Sequence, residues 1–352
     1  MRKGLGVKSP QGIDIAICHR RHAWWLPVKR GNVTMRFVSI KDFATVIQGA
    51  DMAVKGLRWL AGVGLFLSIL GGVCSAEGSK TVEVWKNLFT VINGDGIDSN
   101  TTFLITREGV VVVDTRVTPM EADKVLKEIR KQTDLPILYT INTHYHGDHT
   151  FGNQVFKDSK AIIAHENVRK TLFGPSGKAH LDFFKTMNIP GMDETVITLP
   201  NIVFKEQMAI FVGGYHLRLI HARGHTDGDL FIYIEELKTL ITGDLVFNGK
   251  IPYMGDAYVE EWISALNKLS NLDAEIYIPG HGAPGGKPVL LAMKSYLFNL
   301  KGMVLKQLEK GKSLKETQDV VRPALKEKFK TWKNLKWLDA NIKRTYLEYS
   351  LK

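Results

Sequence analysis

The stretch "THYHGDHTFGN", residues 143–153, sets His144, His146, Asp148 and His149 within six positions of one another. Imidazoles and carboxylates crowded in this way contribute little to an apolar core, and they are poor helix and strand formers. As metal ligands the same residues make sense. His144 and His146, two positions apart on an extended segment, project to one side and can reach one ion. Asp148 and His149 follow Gly147, which lets the chain turn and aims them at a neighbouring point.

Three residues elsewhere stand in matching contexts: His225 in "RGHTDGD", Asp244 in "ITGDLVF" and His281 in "PGHG". Each lies beside a glycine at the end of an expected strand, where side chains of a layered α/β domain converge on a site. The strands are read from runs rich in Val, Ile, Thr and Phe. They are "TVEVWKNLFTVIN", "TTFLITREGVVVVDT", "PILYTINT", "AIIAH", "YHLRLIHARG", "LFIYIEEL", "KTLITGDLVF" and "AEIYIPGHG". Between the first two, "GDGIDSN" reads as a hairpin turn, with a mobile flap as the alternative.

"TPMEADKVLKEIRKQ" begins as a helix should. Thr118 can cap, Pro119 fits the first turn, and Glu121 is expected to complete a capping box. Ala122, Val125, Leu126 and Ile129 share one face. "VEEWISALNKL" turns Val259, Trp262, Ile263 and Leu266 inward. Over residues 288–310, Leu290, Met293, Leu297, Leu300 and Val304 repeat at helical spacing; Gly311 stops that helix, and Ser313 with Glu316 caps the next.

The HxHxDH motif, followed in order by His225, Asp244 and His281, resembles the metallo-β-lactamase superfamily over about residues 81–286. The resemblance implies a four-layer αβ/βα sandwich, here with an added C-terminal helical segment. It also implies that His144, His146 and His225 bind one metal ion. Asp148, His149 and His281 would bind a second, with Asp244 between the two. Two zinc ions are the expected cofactors, with iron or manganese tolerated by the hard oxygen of Asp244. Such a pair generates hydroxide near neutral pH, and Asp148, as catalytic residue, would orient it.

Two subfamily signals disagree. "YMGDAYVEEWISALNKL…AEIYIPGHG" is similar to zinc β-lactamases with a cysteine ligand, whose segment reads like "GDADVEEW…PGHG". The cysteine position, however, holds Asp244, as in glyoxalase II-like hydrolases and lactonases. The substrate-gripping lysine expected three residues later is Phe247, and Lys250 is a nearby substitute. The expected reaction is therefore hydrolysis of an ester, lactone or thioester. Alternatives are a zinc β-lactamase, a binuclear iron oxygenase or redox member, and a non-catalytic exported binding protein. Helical tails in related hydrolases often close over the active site, which suits a substrate other than an antibiotic.

The remaining histidines weigh differently. His165 and His221 read as packing residues, and His180 and His216 have no supporting context. Asp229 reads equally as a turn residue or as a carboxylate orienting a ligand histidine.

Charge is uneven along the 352 residues, whose formal total is +11. Residues 1–76 hold 11 Lys/Arg against 3 Asp/Glu, and residues 301–352 hold 14 against 6. The middle is mildly acidic, which argues against a nucleic-acid reader; the family resemblance implies a small-molecule substrate. From Met52, Lys55 and Arg58 precede an uncharged run from Trp59 to Val73 and then "CSA", the pattern of a secretory signal peptide cleaved after Ala76. Residues 1–51 are an upstream extension not expected in the mature protein, residues 52–76 the signal, 77–286 the catalytic domain and 287–352 the helical extension. Periplasmic or secreted localisation follows, with membrane contact only through an uncleaved signal segment. Cys18 and Cys74, the two cysteines, both precede the cut, so a mature metal site must be built from His, Asp and Glu.

Overall fold

The computed structural model describes residues 78–93 and 97–351, together with the backbone of two short strands, Gly6–Lys8 and Asp14–Ala16. Those two pair antiparallel within the unit Met1–Cys74. The signal-peptide reading at 52–76 lies outside the described residues. The second unit, Ser75–Lys352, carries every candidate ligand. Among the described residues no helix is long and apolar enough to cross a membrane.

Seven strands form the first sheet in sequence order: β1 (Lys80–Trp85), β2 (Leu88–Ile92), β3 (Thr101–Ile105), β4 (Val110–Val113), β5 (Ile137–Ile141), β6 (Ala161–His165) and β7 (Ile202–Phe204). Pairing is antiparallel up to β4 and parallel from there on. The switch needs a crossover, and α1 (Pro119–Gln132) supplies it. The Thr118 hydroxyl accepts the Glu121 backbone N–H, but the Glu121 carboxylate pairs with Lys124 at 2.5 Å. Only half of the expected capping box therefore forms.

The second sheet runs β8 (Gln207–Val212), β9 (Tyr215–His221), β10 (Leu230–Ile234), β11 (Thr239–Phe247) and β12 (Ile276–His281), antiparallel except for its last pair. The two sheets share a core, and period-two alternation explains it. In β4, Val111 and Val113 face the other sheet while Val110 and Val112 lie with α1 residues Ala122, Val125 and Ile129. In β10, Leu230, Ile232 and Ile234 point inward, and Phe231 and Tyr233 point to the opposite side. Both faces of both sheets are thus covered, which gives the four-layer sandwich expected from the sequence.

Helices α2 (Gly147–Thr150), α3 (Glu166–Phe173) and α4 (Pro175–Lys185) lie on the first-sheet side. On the other side α5 (Val259–Ser270) packs with α6 (Lys287–Leu308), α7 (Leu314–Lys328) and α8 (Leu338–Ser350). Leu290, Met293, Leu297 and Leu300 of α6 are fully buried in one cluster with Trp262 and Leu266 of α5 and Tyr277 of β12. The C-terminal helices therefore share the core of the second sheet.

A candidate dinuclear metal centre

The seven ligand candidates come together at one edge of the sandwich, where the chain leaves β5, β9 and β12 and where β11 is irregular. His144, His146, His225 and Asp244 form one buried group, and Asp148, His149 and His281 form another. In the first group His146 Nδ1 lies 3.0 Å from His144 Nε2 and 2.9 Å from His225 Nε2. The opposite nitrogen, His146 Nε2, donates to Asp256 Oδ2 at 3.0 Å, which leaves the Nδ1 lone pair facing the other rings. In the second group His149 Nδ1 donates to Asp114 Oδ2 at 2.7 Å, which turns Nε2 inward. His281 Nε2 stands 3.2 Å from Asp148 Oδ2.

Asp244 sits between the groups. Its Oδ2 is 3.4 Å from His225 Nε2 and 3.4 Å from His281 Nε2, and its Oδ1 is 3.3 Å from His149 Nε2. Two register shifts in β11 meet at Gly243, just before this residue, and Gly243 takes φ +51°, a left-handed conformation that glycine reaches without strain. Gly280 makes the approach possible, because a Cβ there would lie 1.9 Å from Asp244 Oδ1.

The electrostatics divide along the same line. Burial, helped by the neighbouring His149 and His146, holds His144 well below its ordinary pKa, and burial pushes His225 down to about 3. Both rings are neutral donors, as metal binding requires. Burial alone would lower His281 and His149 as well. The carboxylates of Asp244 and Asp148 outweigh it and raise His281 to about 9, and with Asp114 they raise His149 well above its usual value. Without metal, the two buried carboxylates favour the positively charged form of these two imidazoles. A divalent cation answers the same demand. His149 Nε2 and Asp244 Oδ1, although 3.3 Å apart, make no hydrogen bond of acceptable geometry despite full burial. Unpaired buried donors and acceptors are costly. Inward-facing ring nitrogens, orphaned ligand atoms and a hard–borderline donor set all fit two divalent ions.

Other sequence expectations resolve individually. Asp229 uses its carboxyl on the Thr226 N–H (2.8 Å) and hydroxyl (2.7 Å), so it fastens the loop that carries His225 and does not orient the ring. His165 Nδ1 accepts the Asn167 N–H at the start of α3, and its ring stacks on His221 at 3.9 Å. Of "GDGIDSN", residues 97–100 are described, and they form a strap. Ser99 donates to the Asp148 carbonyl oxygen at 2.6 Å, and the Asn100 amide spans the Pro279 and Gly282 carbonyls at 2.9 and 2.7 Å. Lys250 is buried, and its backbone pairs in parallel with that of Lys333. The lysine that lines the ligand pocket is Lys336.

Three supporting residues escaped the sequence reading. Asp114 and Asp256 hold the ligand rings just described. His180 accepts the Gly147 N–H at 3.0 Å and stacks on His146 with ring centroids 5.6 Å apart. Asp114 carried one visible signal, a carboxylate ending the apolar run "VVVV".

A family model for the metallo-beta-lactamase superfamily matches residues 94–281. The chain is 24% identical over 211 residues to a linear primary-alkylsulfatase of Pseudomonas sp., covering 50% of this chain and 40% of that protein. It is 26% identical over 210 residues to Metallo-beta-lactamase IND-1 of Chryseobacterium indologenes, covering 57% of this chain and 79% of that one. Among solved structures, the sec-alkylsulfatase Pisa1 from Pseudomonas sp. matches with a TM-score of 0.63 at 20% identity, over 77% of this chain and 50% of that chain. The chain thus spans half or less of either alkylsulfatase. With the ligand cluster falling inside the matched span, the chain belongs to the metallo-beta-lactamase superfamily.

Proposed function

We propose that the mature protein is an exported dinuclear zinc hydrolase that cleaves a carboxylic ester, lactone or thioester. His144, His146 and His225 would hold one ion and Asp148, His149 and His281 the other, with Asp244 reaching both. Ions so held supply Lewis acidity toward a carbonyl oxygen and lower the pKa of water. The chain's own groups supply orientation. Asp148 faces the pocket beside His281 and is suited to align the attacking water and hold its proton. Among the described residues no serine, threonine or cysteine lines this pocket, which supports direct attack by water over a covalent intermediate.

The observation that carries the reading is Asp244, whose Oδ2 lies 3.4 Å from both His225 and His281 and whose carboxylate so reaches both ligand groups, with Phe247 where a carboxylate-gripping lysine would stand. A second reading, hydrolysis of a sulfate ester, draws support from the alkylsulfatase likeness. That fold match covers 77% of the chain. A panel of ester, lactone, thioester, alkyl sulfate and β-lactam compounds, run on metal-quantified protein, tests both. Turnover confined to β-lactams would overturn them. Export rests on the segment 52–76, and N-terminal sequencing of protein from the native envelope should begin at Glu77; a cytoplasmic full-length product would contradict it.

A further inference from the structure

The pocket over the metal centre, a cavity of about 330 Å³, is walled by groups the hydrolytic reading does not use. Four of them are large apolar or aromatic side chains left open to solvent: Phe183 at 57% exposure, Ile97 at 43%, and Met187 and Tyr253 at 39% each. Exposing such groups together is unfavourable, and a contiguous apolar patch marks a binding surface. The same pocket holds a single Lys or Arg among its described lining residues, Lys336. It comes from the C-terminal helical segment, and that segment is fastened there. Ile251 N–H donates to the Lys333 carbonyl and Lys333 N–H to the Gly249 carbonyl, both at 2.9 Å. Asn334 turns the chain at φ +63°, and the Trp337 ring meets Tyr253 edge-on at 5.2 Å. The Lys336 ammonium lies 5.0 Å from the Trp337 ring centroid.

Resting on the hydrolytic reading of the metal centre, we propose that this pocket selects amphiphilic anions. The aliphatic or aromatic body of the substrate lies along Phe183, Met187, Ile97 and Tyr253, and an anionic group remote from the scissile bond pairs with Lys336. The pocket's other charged side chains are carboxylates and histidines at the metal centre, so a remote anion has one cation to meet. A lysine delivered from outside the four-layer sandwich takes the role that Phe247 cannot.

The test uses the full zinc-loaded chain and two probe pairs. The first pair is the p-nitrophenyl ester of octanoate and the mono-p-nitrophenyl ester of suberate, equal in length but differing by a far carboxylate. The second is octane sulfonate and butane sulfonate, titrated by calorimetry without turnover. The suberate ester should be preferred about tenfold in kcat/KM. Lys336→Met should erase that preference through KM, with a much smaller change for the octanoate ester. Octane sulfonate should bind at least tenfold more weakly to Lys336→Met, and Phe183→Ser should narrow its advantage over butane sulfonate. Binding indifferent to Lys336→Met, or no gain from the longer chain, overturns the proposal. Lys336-dependent octane sulfonate binding without turnover of either ester upholds the pocket assignment and defeats the carboxylic-ester reading instead.

Discussion

The Phe247 ring lies flat on the His281 ring, with centroids 5.0 Å apart and planes 9° from parallel. An aromatic therefore packs against a candidate metal ligand where β-lactamase relatives with a cysteine ligand are expected to offer a lysine. Unmodified protein should hydrolyse penicillins and carbapenems with kcat/KM well below the ordinary enzymatic range of about 10⁴ M⁻¹s⁻¹. The double change Asp244→Cys with Phe247→Lys should shift the β-lactam to ester ratio upward. Efficient β-lactam turnover by the unmodified chain would refute the inference from Asp244.

Asp114 supports His149 and the strand end together. Its oxygens also accept the Thr143 N–H and hydroxyl, both at 2.8 Å. Asp114→Ala removes the acceptor that fixes the ring, and such supporting partners commonly contribute 10–100-fold in metal affinity. Competition titration with a chelator should find one of two zinc ions weakened by that factor. Equal weakening of both would show that the loss is general.

Gly280→Ala should damage the centre more than the fold. The added methyl would meet Asp244 Oδ1 at 1.9 Å and the Gly243 backbone carbon at 2.8 Å, so the carboxylate and the stretch of β11 that carries it must move away from one or both ligand groups. We expect sub-stoichiometric metal and at least tenfold lower turnover, with the circular dichroism spectrum retained. Full metal content in Gly280→Ala would refute this account of the close approach.

Leu297, at 0% exposure, joins α6 to the core of the second sheet. Leu297→Ala should cost about 2–5 kcal/mol in denaturant unfolding. A cost within about 0.5 kcal/mol, ordinary for a surface change, would mean the C-terminal helices do not share this core.

What was legible in the sequence and what was not follow from range. The ligand types, the strands and the inward faces of α1 and α5 depend on residues close in sequence, and local pattern carries them. Asp256 and His180 meet His146 across 110 and 34 positions; Asp256 stood in the segment "GDAYVEEW" with no role assigned to it, and nothing local marked His180 in its helix. Glu121 failed its capping role because Lys124, one turn on, offered a charged partner. Lys250 suggested itself by nearness in sequence, whereas Lys336 reaches the pocket through a backbone pairing between residues 249–251 and 333 that no periodicity announces.

The most direct test of the central claim is elemental analysis of the purified chain at saturating zinc, before and after chelation. Two ions per chain, with hydrolysis lost on chelation and restored by zinc, is the result the geometry predicts. One ion or none bound at saturation, or hydrolysis unchanged by complete metal removal, would contradict it.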